Sequence, residues 1–176
     1  MVGNKSKGTI TFSYSSEELF NHAGILSSYM AKSLGGDGTA LDKYSITNDE
    51  QDIFNVCLKQ SLTSVYNAIV KLTSGVNGAL NDNVVVSADE TSGLGRKAGT
   101  YVEITLKDNA AYNVNTLDII EKTLKDCIVY GSLMSFYSVN INVDLYRISQ
   151  TSFDTSMATL KKTLFHLSKK KTSSLM

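Results

Sequence analysis

Histidine and cysteine are the side chains best suited to chemistry in this chain, which contains two of each. His22 and His166 lie in apolar helical patterns, and we assign neither a second histidine nor an acid at ligand spacing. Cys57 and Cys127 are 70 residues apart without a CxxC motif, so they give no zinc signature. The sequence therefore predicts no catalytic residue, metal or cofactor, and it favours two buried free thiols over a disulfide, which stays an open alternative. An enzyme whose site is assembled only in three dimensions stays an alternative.

A glycine-rich segment at residues 92–99 invites a phosphate-binding interpretation. It lacks the GxxxxGK[ST] pattern, and a strand follows it where a helix would be needed to hold the anion. We interpret it as the tip of a β-hairpin, in which Leu94, Arg96 and Lys97 could contact a neighbouring subunit or a phosphate backbone. Two interpretations are also open for Lys169, Lys170 and Lys171, which form either a solvated helix end or a contact site.

The charge balance limits the classes of partner. Seventeen basic and seventeen acidic residues give a formal net charge of zero. A protein that covers nucleic acid with a broad face usually has a basic excess, so a DNA-binding module is disfavoured. No apolar run is long enough to cross a bilayer, and no secretory signal is recognisable at the start, which predicts cytosolic synthesis and no membrane partner.

The first elements are a strand and a helix. Residues 9–14 alternate strictly, which places Ile10, Phe12 and Tyr14 on one face of a strand. That strand must pair with a later hairpin or with a sheet edge of another chain, and these three residues are candidate contacts for the second case. Residues 1–8 are predicted to be disordered. Ser15 and Glu18 have the spacing of a helix capping box, and Gly35-Gly36 marks the end of that helix.

The middle of the chain predicts a helix and a hairpin. Thr47 and Glu50 form a second capping box, followed by a wide apolar stripe that indicates contact on more than one side. The strands of the hairpin are predicted within 83–106, with the first at Asn83–Ser87.

The last third predicts two helices. Asn115 is expected to cap the first, and residues 139–142 are expected to break or bend the chain. The second helix is expected to bury Val143, Tyr146, Gln150, Phe153, Met157, Leu160, Leu164 and Leu167. The predicted fold class is mainly α: a single domain at 9–171 with about four helices, a hairpin insertion and a short N-terminal strand, followed by a disordered tail at 172–176.

This order of elements resembles the head–tail connector proteins of tailed bacteriophages. The resemblance rests on the acid-capped helix start at 47–54, the hairpin around 88–99 and the closing pair of helices. The stretch 128–137, followed by the helix to Lys171, is similar to the end of such proteins in crAss-like phages.

The resemblance implies a structural virion protein that forms a ring below the portal. Implied partners are other copies of the chain, the portal protein and neighbouring tail or connector proteins, with non-specific contact to packaged DNA. The implied location is the neck of the virion, after synthesis in the host cytoplasm. The alternatives are a non-viral ligand-binding or regulatory helical domain, or an enzyme. The number of subunits in the ring is left open.

Overall fold

The structure is a computed structural model that describes residues 4–6, 9–34, 44–73, 86–90, 100–107 and 114–172. Its helices are α1 (Ser16–Ser33), α2 (Gln51–Thr73), α3 (Val114–Val139) and α4 (Val143–Thr172). Its strands are β1 (Asn4–Ser6), β2 (Thr9–Ser15), β3 (Val86–Glu90) and β4 (Thr100–Lys107). This architecture confirms the predicted fold class, a mainly helical bundle with a minor β component.

The strands form one antiparallel sheet in the order β1-β2-β4-β3. Strand β2 pairs along its whole length with β4, so that Phe12 lies opposite Ile104 and Tyr14 opposite Val102. The N-terminal strand therefore pairs within its own chain. The other edge of β2 pairs with β1. The predicted disorder is therefore wrong for Asn4–Ser6. Backbone pairing needs no apolar pattern, and for this reason the polar residues of β1 gave no signal.

The predicted hairpin is confirmed, because β3 and β4 pair antiparallel with Val86 opposite Ile104. The described strand β3 continues to Glu90, beyond the end predicted at Ser87. The hairpin tip, with Leu94, Arg96 and Lys97, lies outside the described residues.

Both predicted capping sites are occupied as expected. The Ser15 hydroxyl accepts a hydrogen bond from the Glu18 N–H at 3.0 Å, which satisfies a free donor at the start of α1. The Thr47 N–H donates to the Glu50 carboxylate at 2.9 Å ahead of α2. A short 3₁₀ turn at Asn48–Glu50 lies between this cap and the first residue of α2.

Helix α3 is the central helix of the bundle. It packs against α2, α4 and α1, and its buried residues Cys127, Ile128, Val129, Ser132 and Leu133 surround most of its circumference. Helix α2 was predicted to be contacted on more than one side, and it contacts α3, α4 and α1, which confirms that prediction. On α2 the side chain of Ile53 is 44% exposed, so its apolar stripe is narrower than predicted.

The connection between α3 and α4 breaks the helix, as predicted for residues 139–142. Ile141 has φ 52°, the left-handed conformation, and the Asn142 N–H donates to the Tyr137 carbonyl at 3.0 Å. These features define a Schellman motif with isoleucine at the position that usually holds glycine. The Asn142 side chain then accepts from the Leu145 N–H at 3.1 Å and caps α4.

Two predictions about α3 and α4 need correction. Asn115 follows the first residue of α3, so it lies within the first turn and is not the cap. On α4, Val143 and Gln150 are exposed, and Leu145 and Ser149 are buried in their place. The hydroxyl of Ser149 lies 3.6 Å from the sulfur of Met30 on α1, in a space that suits a small side chain.

The helices pack closely at Gly131 on α3. A Cβ atom at this position would overlap the Ser61 Oγ of α2 and would lie 3.1 Å from a ring carbon of Phe153 on α4. The Ser61 hydroxyl is itself buried and donates to the Ile128 carbonyl at 2.8 Å. Gly131 therefore allows α2 and α4 to approach α3 closely at the same position.

Gly131→Ala is expected to lower the free energy of unfolding by about 1–3 kcal/mol, because the methyl group displaces Ser61 from its hydrogen bond and crowds Phe153. Gly24→Ala in α1 is the matched control, since its Cβ has room and alanine favours helix by about 1 kcal/mol. Urea denaturation measures both. Equal effects of the two substitutions would contradict the proposed steric role of Gly131.

Ile141→Gly is expected to stabilise the chain by about 1 kcal/mol, since glycine adopts positive φ without the strain that a β-branched residue carries there. The side chain of Ile141 is 85% exposed, so little packing is lost. Thermal unfolding of the variant beside Ile141→Ala, which removes the same exposed apolar side chain but keeps an L residue at positive φ, separates the conformational effect from the loss of apolar surface. A lower melting temperature for Ile141→Gly would argue against strain in this turn.

Candidate functional site

The candidate contact residues of the N-terminal strand are engaged within the chain itself. Phe12 and Tyr14 are 1% and 3% exposed, and the Tyr14 hydroxyl donates to the Glu121 carbonyl of α3 at 2.7 Å. Burial, and then the nearby carboxylates, raise the pKa of Tyr14. Ile10 pairs through its backbone with Lys5 on one side and Leu106 on the other. The strand is therefore a core element, and the prediction that Phe12 and Tyr14 contact another subunit needs correction.

The remaining candidate contacts are only partly placed. Leu94, Arg96 and Lys97 fall outside the described residues. Lys169, Lys170 and Lys171 lie on the last turn of α4, which ends at Thr172. Their contact role stays a prediction.

A polar groove that the sequence analysis did not identify lies between α1 and α3. His22 is half-buried in it, and the Lys125 ammonium group forms an ion pair with the Glu18 carboxylate. The groove is lined by Ser15, Glu17, Glu18, Asn21, His22, Ile25 and Lys125. We call it the His22 groove. Glu18 precedes His22 by one helical turn, which is a signal visible in the sequence, but the α3 residues come together with them only through the fold.

The charges around His22 act in opposite directions. Burial lowers the pKa of His22 below the ordinary value of 6.5, and Lys125 lowers it further, while Asp126 and Glu18 raise it. Burial raises the pKa of Asp126, against the effects of His22, Lys122 and Lys125. Both partners are therefore shifted towards their neutral forms, which weakens the ion pair that they could form.

Asp126 also borders a second groove, between α3 and α4. This groove is lined by Asp126, Tyr130, Thr151, Ser152, Thr155 and Ser156. Burial and the Asp126 charge raise the pKa of Tyr130, and a hydrogen bond with Ser152 opposes this effect. The hydroxyl-rich lining could form hydrogen bonds with a polar ligand, but it contributes no strongly acidic or basic group besides Asp126.

The thiols are poorly placed for nucleophilic chemistry. Cys57 and Cys127 are free and buried, as predicted. Burial raises the pKa of Cys57, and burial together with the Asp126 charge raises that of Cys127 to about 12. The reactive form of cysteine is the thiolate, so neither residue is activated at neutral pH. Among the described residues, no three histidine, cysteine, aspartate or glutamate side chains are grouped so that they could hold a metal ion.

Two apolar stripes are exposed on neighbouring helices. The α1 stripe consists of Ile25 and Tyr29, with Lys32 at its end, where the ammonium group lies 5.9 Å from the Tyr29 ring centre. The α2 stripe consists of Ile53 and Val56, preceded by the exposed acids Asp49 and Asp52. Large exposed apolar side chains that adjoin on one helix face are typical of contact sites. Neither stripe was predicted, because the helices were identified from the apolar residues of their buried faces.

Comparison with known proteins gave no relative: no protein-family model, no curated protein and no solved structure matches this chain. Within the described ranges, no helix has a stretch long and apolar enough to span a lipid bilayer.

The pKa of His22 in the native chain is expected to lie below 6.5, as measured from its ring-proton signals in an NMR titration. Lys125→Met is expected to raise this pKa by removing a positive charge, and Asp126→Asn to lower it. The His22→Gln variant assigns the signal.

The sign of the stability effect follows from this depressed pKa. The unfolded chain binds the His22 proton more readily, so the free energy of unfolding should fall as the pH drops below about 6.5. His22→Gln should reduce that fall. A native pKa above 6.5 would contradict the described burial of the ring.

Proposed function

We propose that this chain is a structural virion protein that forms a ring in the head–tail connector of a tailed phage. The observation that carries the proposal is the pair of exposed apolar stripes on α1 and α2, which gives a helical bundle two surfaces for neighbouring subunits. The order of elements and the zero net charge also support it, since like copies at neutral charge do not repel one another. No relative adds to this argument.

The mechanism would be geometric. Contacts between different faces of successive copies close a ring when the rotation between copies divides a full turn. The hairpin tip with Arg96 and Lys97, and the lysines 169–171, would contact the portal protein, adjacent connector or tail proteins, or packaged DNA. In this proposal the chain is made in the host cytoplasm and acts in the neck of the virion.

A second function is favoured by the groups around His22. His22 lines one groove and Asp126 and Tyr130 line the other, and the Asp126 charge acts on both His22 and Tyr130; such groups can bind a small polar ligand or transfer protons. A ligand-binding domain or an enzyme would place its activity there. Native mass spectrometry of the purified chain would favour this alternative if it detected a stoichiometric small molecule that Asp126→Asn releases.

The ring proposal predicts species much heavier than the 19.1 kDa monomer in sedimentation velocity experiments at rising concentration. It also predicts that mass spectrometry finds the chain in purified virions that carry its gene, at several copies per particle. Tyr29→Asp should reduce self-association by introducing a charge into the α1 stripe, whereas Thr155→Asp, at an exposed position on α4, should not. Absence of the chain from virions would contradict the proposed function, whatever its mass in solution.

A further inference from the structure

We infer that the α1 stripe of one copy packs antiparallel against the α2 stripe of the next copy. This inference rests on the proposed ring and specifies its interface. The partner is a second copy of this chain, and the directions, spacing and charges of the two stripes support this choice.

The two stripes point away from each other. The rings of Phe20 on α1 and Phe54 on α2 are in contact, with centres 5.4 Å apart, so these residues mark the facing sides of the helices. At about 100° per residue, Tyr29 lies about 180° from Phe20, and Val56 lies about 160° from Phe54. One molecule can therefore contact a different neighbour through each stripe, which is the arrangement that a head-to-tail ring requires.

The charges at the ends of the two stripes select the direction in which the stripes pack. Lys32 lies seven residues after Ile25, about 10 Å along α1, and Asp49, in the 3₁₀ turn ahead of α2, lies seven residues before Val56. In an antiparallel contact, Ile25 meets Val56, Tyr29 meets Ile53, and Lys32 meets the acids Asp49 and Asp52. In a parallel contact, Lys32 would instead meet Lys59. Opposite charges at the end of the stripe therefore select the antiparallel direction.

Cysteine cross-linking tests this pairing in the full chain. Ile25→Cys protein, carrying a size tag, is mixed with untagged Val56→Cys protein and oxidised. The expected product is a tagged–untagged dimer in excess of any dimer that either variant forms alone. Wild type is the control for Cys57 and Cys127, which are buried. The parallel alternative is tested by mixing Ile25→Cys with Ile53→Cys, which should cross-link less.

Charge reversal provides an independent measurement. Lys32→Glu and Asp52→Lys should each weaken self-association roughly tenfold, and the double variant on one chain should recover it, because the opposite charges are restored with exchanged signs. Asp144→Lys is the control, since Asp144 occupies the first turn of α4 as Asp52 occupies that of α2. Circular dichroism confirms that each variant is folded.

The outcomes separate the interface from the proposed function. Dimers that form equally within each cysteine variant would show a symmetric contact and overturn the inference, as would cross-linking no greater than that of wild type. A double charge variant no better than the single variants would also overturn it. None of these results removes the chain from virions, and its absence from virions is the result that would contradict the function.

Discussion

The structure depends on how closely α2 and α4 can approach α3 at Gly131. The missing side chain leaves room for the Ser61 hydroxyl and for the Phe153 ring. The buried Ser61 hydroxyl donates a hydrogen bond to the Ile128 carbonyl, so this hydroxyl is not left unpaired at the close contact. Because helices on several sides reach α3, its apolar residues can occupy most of its circumference. A side chain at position 131 would separate the helices and open the core around them.

This central helix determines which surfaces remain for function. The Glu121 carbonyl of α3 also accepts a hydrogen bond from the Tyr14 hydroxyl, which holds the sheet against the bundle. The apolar side chains Phe12 and Tyr14 of β2 are buried there. The proposed subunit contacts therefore use the outer faces of α1 and α2. These outer faces carry Tyr29, which is 66% exposed, and Val56, which is 57% exposed. Side chains of this size on the solvent side are only partly packed in the bundle, and their exposure is the basis of the proposed interface.

Local sequence signals predicted the features that depend on neighbouring residues. The Ser15 cap, the Glu50 contact ahead of α2 and the break at 139–142 are each formed within a few residues, and the structure confirms them. Features that depend on other elements were missed. Alternation in β2 could not tell whether its own chain or another covers Phe12 and Tyr14. A stripe through Gln150 was as regular as the one through Ser149, and only the Met30 contact distinguishes them. The His22 groove likewise needs Lys125 from another helix.

The two functional hypotheses meet at Ile25. This residue lines the His22 groove and also belongs to the α1 stripe, so a neighbouring copy packed on the stripe would border the groove and restrict its access to solvent. Desolvation already favours neutral His22, and a neighbour would strengthen that preference. By linkage, assembly through α1 would then become less favourable as His22 is protonated. Ligand binding in the groove and packing on the stripe would compete for Ile25, whereas Tyr29 and Asp126 each belong to one surface alone. A substitution at Tyr29 or Asp126 therefore tests one hypothesis, whereas a substitution at Ile25 would affect both.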